Sequence, residues 1–292
     1  MKRNKDDKKE KKNGGIVFRI IMIMLIICCL LGGLYFIKLG RQQEELSKAG
    51  VPSVKYVIDE WYYYVEEDAR LLDEYQDYNS DVVGIIRIED SILNHPFVWT
   101  PDDEDYYLYK DLNKDYNSHG VPFLSAGSKV ESLGTNMVMY GHNIRLITRD
   151  IFADLTYYED IEYYKKHPYI ETVTDTGNRK WLIVAYFITD NSEQDAFRYS
   201  EYLEYETEDD FAVYWQKVQK RNWIDVNVDV EYGDTLLTLS SCSVENAGSG
   251  TNRMVVIAKL MRTTEDFSTE VESGLAAEDP LLPASLRGSS LI

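Results

Sequence analysis

The sequence predicts a mainly β fold: short strands closing into a barrel or sandwich, an N-terminal helical segment, and a helix inserted before the strand that ends at Cys242. Three observations lead there. From residue 82 onward, apolar runs of five to nine residues alternate with turn residues. Only two later stretches, 149–165 and 207–222, carry a helical pattern. Ahead of the first strand, "SVKYVIDEWYYYVEEDARLLDEYQD" (53–77) is aromatic and charged, with no glycine or proline. Many strands with few helices favour a barrel or sandwich with helical insertions.

Taken in order, residues 1–19 open on "MKRNKDDKKEKKN", which holds seven basic residues. Ile20–Ile37, "IIMIMLIICCLLGGLYFI", is 18 residues without a charge. As a helix it would span about 27 Å, close to a bilayer core. Basic residues concentrate before it and acidic ones after it, so the positive-inside rule puts the N-terminus in the cytoplasm and residues 42–292 outside. An uncleaved single-pass anchor is favoured over a cleaved leader, because leader apolar regions are shorter and "LYFIKLGRQQ" offers no small-residue cleavage site. Cys28 and Cys29 then serve as apolar filling of the span, with palmitoylation as the alternative.

Residues 38–80 read as a juxtamembrane helical segment, with Val57, Trp61, Val65 and Leu72 as an apolar stripe. The expected strands are 82–88, 95–99, 136–142, 169–174, 181–189, 235–242 and 253–261. The inserted helix 207–222 starts on a capping pattern, Thr207 followed by Asp210. These elements make one domain, 81–262. The remainder, 263–292, is acidic, contains Pro280 and Pro283, and reads as a mobile extension.

Composition narrows the function. The chain has 292 residues, 44% of them hydrophobic, and 23 tyrosines, enough for a sizeable core. Of its 31 basic and 50 acidic residues, 1–41 hold ten and three, leaving 42–292 with 21 and 47. A domain that acidic is a poor phosphate binder, so nucleic acid is excluded as the main partner.

There are three cysteines, and Cys242 alone lies outside the anchor. Extracytoplasmic domains pair their cysteines or avoid them, so a lone thiol there is incidental or a nucleophile. Thiol chemistry also needs a proton carrier and a group that holds developing negative charge. Of the four histidines, His95 and His167 precede prolines and His119 lies in a turn. His142 differs: it ends the strand "NMVMYGH" directly after Gly141, which permits close backbone approach. The loop after Cys242 holds Gly248 and Gly250, so Arg253 could return beside the cysteine on the next strand. Each residue also has a plainer reading: a structural histidine, a small buried hydrophobe, a surface arginine.

"LTLSSC" with Arg253 eleven residues on resembles the T-L-x-T-C…R signature of sortases, and "MYGHN", 100 residues upstream, resembles their histidine motif. Three features resemble class B: the helical N-terminal region, the 95–128 segment with its Tyr106–Tyr107 pair, and the helix before the cysteine strand. The resemblance covers about 55–262. Departures are Ser241 where the family usually has threonine, and Ser243 and Val244 where class B members often carry an acid, the first carboxylate here being Glu245.

The resemblance implies a closed sortase-type β-barrel, no cofactor and no metal. It implies a cysteine transpeptidase in which the Cys242 thiolate attacks a sorting motif of L-P-x-T-G or N-P-x-T type. Arg253 and a backbone N–H near Ser243 would hold the oxyanion, His142 would carry protons, and Ser240 would touch the substrate. Implied partners are surface proteins with a C-terminal sorting signal and a peptidoglycan amine. Two other readings stay open: a surface endopeptidase without transfer, and a tethered binding protein in which Cys242 is incidental.

Overall fold

The computed structural model describes residues 55–144, 149–192, 196–242 and 251–287. The anchor expected over 20–37 lies outside them; among the described residues no helix is long and apolar enough to cross a membrane.

The chain opens on a hairpin, β1 (Lys55–Val57) and β2 (Tyr63–Val65), and continues into α1 (Glu66–Tyr78). This corrects the expectation of one helix over 53–77. Asp59 Oδ1 accepts hydrogen bonds from the backbone N–H of Trp61 and Tyr62, 2.7 and 2.9 Å, and so sets a turn inside the expected helix. The aromatic and β-branched run behind that turn favours a strand. The helix starts where Glu66, Glu67 and Asp68 can complement its dipole.

The strands β3 (Val82–Arg87), β4 (Asn94–Val98), β5 (Phe123–Leu124), β6 (Asn136–Tyr140), β7 (Tyr169–Thr174), β8 (Gly177–Asp190), β10 (Leu236–Cys242) and β11 (Asn252–Leu260) form the barrel. Their order is β8-β11-β10-β6-β5-β4-β3-β7, and the β7–β8 pairing closes it on itself. The strand runs expected from sequence fall on seven of these; β5, two residues long, has too short a pattern to read. Most neighbours are antiparallel, but β6 runs parallel to β10 and β4 to β5.

The run at 181–189 does not alternate, because both faces of β8 are covered. Tyr164 of α2 (Ile161–Lys166) and Phe211, Tyr214 and Val218 of α3 (Glu208–Gln219) join the same core as β8 and β11. A second cluster packs Leu72 of α1 against Val82, Ile85, Val98, Phe123 and Val173.

The inserted helix forms where expected: the Thr207 hydroxyl accepts from the Asp210 N–H at 3.1 Å. The helix expected over 149–165 is instead a 3₁₀ stretch, Ala153–Glu159, followed by α2. Asp160 separates them in an extended conformation and caps α2 through the Glu162 N–H, 2.9 Å.

Beyond 262 the expected mobile extension is corrected. Residues 263–287 dock on the barrel through α4 (Ser268–Glu272) and through β12 (Leu275–Ala276), which pairs with β9 (Ile224–Asp225). The Ala277 and Leu281 N–H groups donate to the carbonyls of Trp223 and Lys220, 3.0 and 2.7 Å. Val271 and Leu286 are buried. A few well-spaced apolar residues thus suffice to hold a segment whose overall composition reads as solvated.

Candidate active site

Strand register brings the expected residues to one end of the barrel. Cys242 stands directly opposite Arg253 in the antiparallel β10–β11 pair. On the other side of β10, Ser240 pairs with Tyr140 in parallel register, and the Gly141 N–H donates to the Ser240 carbonyl at 3.2 Å. His142 therefore follows β6 just as Cys242 follows Ser240. Three chain segments, the outer two more than 100 residues apart, end side by side.

The Ser241 hydroxyl donates to the Gly141 carbonyl at 2.6 Å. This stitches the cysteine strand to the histidine strand. A threonine hydroxyl could make the same bond, so serine at this position keeps the chemistry of the signature. Gly141 is required sterically: a Cβ there would stand 2.7 Å from the Phe152 ring.

The His142 ring is held on two sides. Nε2 lies 2.7 Å from the Leu108 carbonyl oxygen. A carbonyl only accepts, so Nε2 carries hydrogen and Nδ1 is the nitrogen left to exchange a proton. The half-exposed Tyr109 ring sits 5.2 Å from the imidazole, tilted by 39°. The His142 backbone carbonyl accepts from the Phe152 N–H at 3.0 Å. Arg253 is partly buried and donates from Nη1 to the Asn252 carbonyl, 3.1 Å. Burial raises the Tyr140 hydroxyl above its usual range, while a bond with Ser200 and the Arg253 charge oppose the rise.

Ser240 is 1% exposed, and its Oγ lies 2.6 Å from the Tyr199 hydroxyl. It faces a protein partner where the sequence suggested an open contact. Tyr199 belongs to an aromatic cluster with Phe187 and Phe197 that backs the cysteine strand. Ser243 and Glu245 lie outside the described residues. The Tyr106–Tyr107 pair is divided: the buried Tyr107 hydroxyl donates to Asp81 at 2.6 Å and accepts from Asn79 at 2.7 Å, while Tyr106 lies under the Lys110 ammonium.

The other histidines are engaged elsewhere. His167 Nδ1 donates to the Glu89 carbonyl at 2.9 Å. His95 and His119 both face Asp150. Sequence reasoning missed Leu108, Tyr109 and Tyr199. Leu108 acts through its backbone, which no side-chain pattern reveals. The tyrosines lie in stretches with no helix or strand period.

No protein-family model matches the chain. Over 190 residues it is 31% identical to Sortase B of Listeria monocytogenes, covering 65% of this chain and 74% of that protein. Over 189 residues it is 26% identical to Sortase B of Staphylococcus aureus, covering 64% and 72%. Its fold is similar to a Staphylococcus aureus sortase B–substrate complex, with a TM-score of 0.60 and 23% identity over 68% of this chain and 88% of that one. It is also similar to Clostridium perfringens sortase B, with a TM-score of 0.57 and 21% identity over 65% and 98%.

Proposed function

The chain belongs to the class B sortases, which are cysteine transpeptidases, and on that premise we propose that it joins surface proteins to a cell-wall amine through a thioester on Cys242. The observation that carries this reading is the register that sets Cys242 opposite Arg253 with His142 at the end of the next strand.

In the proposed reaction, the Cys242 thiolate adds to the threonine carbonyl of an L-P-x-T-G or N-P-x-T motif. Arg253 and a backbone N–H near Ser243 hold the oxyanion. The C–N bond breaks, and His142 delivers a proton from Nδ1 to the leaving amine. A peptidoglycan amine then attacks the thioester, His142 takes its proton, and the Cys242 sulfur is released. Ser240, expected to touch the substrate, is buried with its Oγ 2.6 Å from the Tyr199 hydroxyl, so any contact it makes with the substrate would need that pair to open. The Ile20–Ile37 anchor would hold the enzyme at the outer membrane surface, where both reactants arrive.

The test supplies the full chain with motif peptides, with and without triglycine, and follows products by mass spectrometry. A ligated product supports transfer. Acid alone makes the protein an endopeptidase, and intact peptide together with an unreactive thiol favours the tethered binding protein.

Arg253→Lys is expected to lower kcat on a cleavable peptide by about 100-fold, the scale of losing an oxyanion donor. The lysine ammonium is a point charge on a flexible stem and cannot reproduce the planar fork. The melting temperature should barely move. A near-wild-type kcat would remove Arg253 from the reaction.

A further inference from the structure

Two chain segments hold His142 from behind. One is the stretch after the 3₁₀ turn Glu104–Tyr107, which supplies the Leu108 carbonyl to Nε2 and the Tyr109 ring to its face. The other is the return segment 149–152, whose Phe152 N–H holds the His142 carbonyl and whose Ile151 bridges to Asn143. Neither belongs to a barrel strand, so something else must fix them.

Asp150 links them. Its Oδ2 accepts from His119 Nδ1 at 3.0 Å, tying the return segment to the far end of the segment that carries Leu108. Its Oδ1 lies 3.1 Å from His95 Nε2, tying both to β4. The same Oδ1 accepts from the Ile151 N–H at 2.8 Å. Neutral imidazoles can make both contacts, each with its single N–H, provided the carboxylate is ionised. Burial opposes that charge, but the bonds from His119 and the Ile151 N–H hold the carboxyl below its usual range.

Ile151 shows that the segment is under constraint. It is buried with φ of 53°, the left-handed region, which a β-branched residue rarely adopts. Such strain persists only where the surroundings impose it. Here it seats Phe152 against Gly141, the residue before His142.

We propose that Asp150, clasped by His95 and His119, is a positioning residue that sets the orientation of the His142 imidazole. The inference rests on the reading of His142 as the proton carrier.

The experiment uses the full chain as Asp150→Asn and Asp150→Ala. Asparagine keeps the volume and one accepting oxygen; alanine removes both. The first readout is the nitrogen NMR signature of the His142 ring, which needs no turnover. In the wild type, Nε2 should be protonated and slow to exchange; exchange should quicken in Asn and more in Ala. The second is kcat on the sorting peptide, expected to fall on the order of tenfold to a hundredfold in the same order with KM little changed, the scale of a misplaced reacting group. The third adds each change to His142→Ala with an activated phenyl ester, whose departure needs no proton. A residue acting through His142 should then cost nothing further.

An unchanged His142 signature, or an equal loss with and without His142, overturns the proposal and leaves the proposed reaction standing. Full peptide cleavage by His142→Ala would instead sink the reading of His142, while the ring signature would still report the clasp.

Discussion

Cys242→Ala is expected to abolish cleavage of sorting peptides, with a loss of at least about 10⁴-fold, as when an essential nucleophile is removed. No other group described at this end of the barrel can form a thioester. Ser240 is buried against Tyr199, and the Ser241 hydroxyl is committed to the Gly141 carbonyl. The strand pairing of Cys242 is made by its backbone, which alanine retains, so the melting temperature should stay within a few degrees. Peptide turnover together with a loss of labelling by a thiol-reactive probe would decide the matter. Cleavage well above background by the alanine variant would assign the nucleophile elsewhere and remove the basis of the proposed reaction.

Asp68→Ala is expected to have the largest effect on stability. Arg87 on β3 makes two hydrogen bonds to the Asp68 carboxylate, both 2.7 Å, and a third to Glu171 on β7, 2.8 Å. Asn178 of β8 donates to Asp68 at 2.6 Å, and the Tyr63 hydroxyl of β2 to Glu171 at 2.9 Å. This network ties α1 and the first hairpin to the barrel. Burial works against the Arg87 charge, but the two carboxylates hold its affinity for the proton above the ordinary range. Removing Asp68, which is 6% exposed, leaves a partly buried guanidinium with Glu171 as its remaining carboxylate partner. Breaking such a pair from one side costs about 3 kcal/mol or more. For a domain of this size that corresponds to a fall of roughly 6–12 °C in Tm. Asp68→Asn, which keeps one accepting oxygen, should fall between. A shift within about 2 °C would mean that the network adds little beyond the apolar contacts of Leu72.

The strand runs were legible because apolar periodicity is local. The stretches at 82–88, 169–174 and 235–242 carry their pattern within a few residues, and tertiary contacts did not override it. The α3 cap was legible for the same reason: Thr207 and Asp210 meet within one turn. The helix expected over 53–77 failed where a short-range competitor, the Asp59 turn, outweighed an imperfect apolar stripe. The tail failed for the opposite reason. Its composition is that of a solvated chain, but Val271 and Leu286 meet apolar surface that only the finished barrel presents.

The chemistry available to this protein was determined by sequence alone: one thiol outside the apolar N-terminal run, a histidine after glycine at a strand end, an arginine at the start of the following strand, and a strongly acidic stretch over 42–292. What only the tertiary structure decided is how these groups are aligned and held. Parallel pairing of β6 with β10 joins residues about 100 positions apart, and no local pattern encodes such a pairing. The partner of His142 Nε2 is a backbone carbonyl, a group that every residue carries, so its selection at Leu108 leaves no trace in residue type. Asp150 likewise reads as one acid among many until the fold sets two histidines from distant segments against its two oxygens.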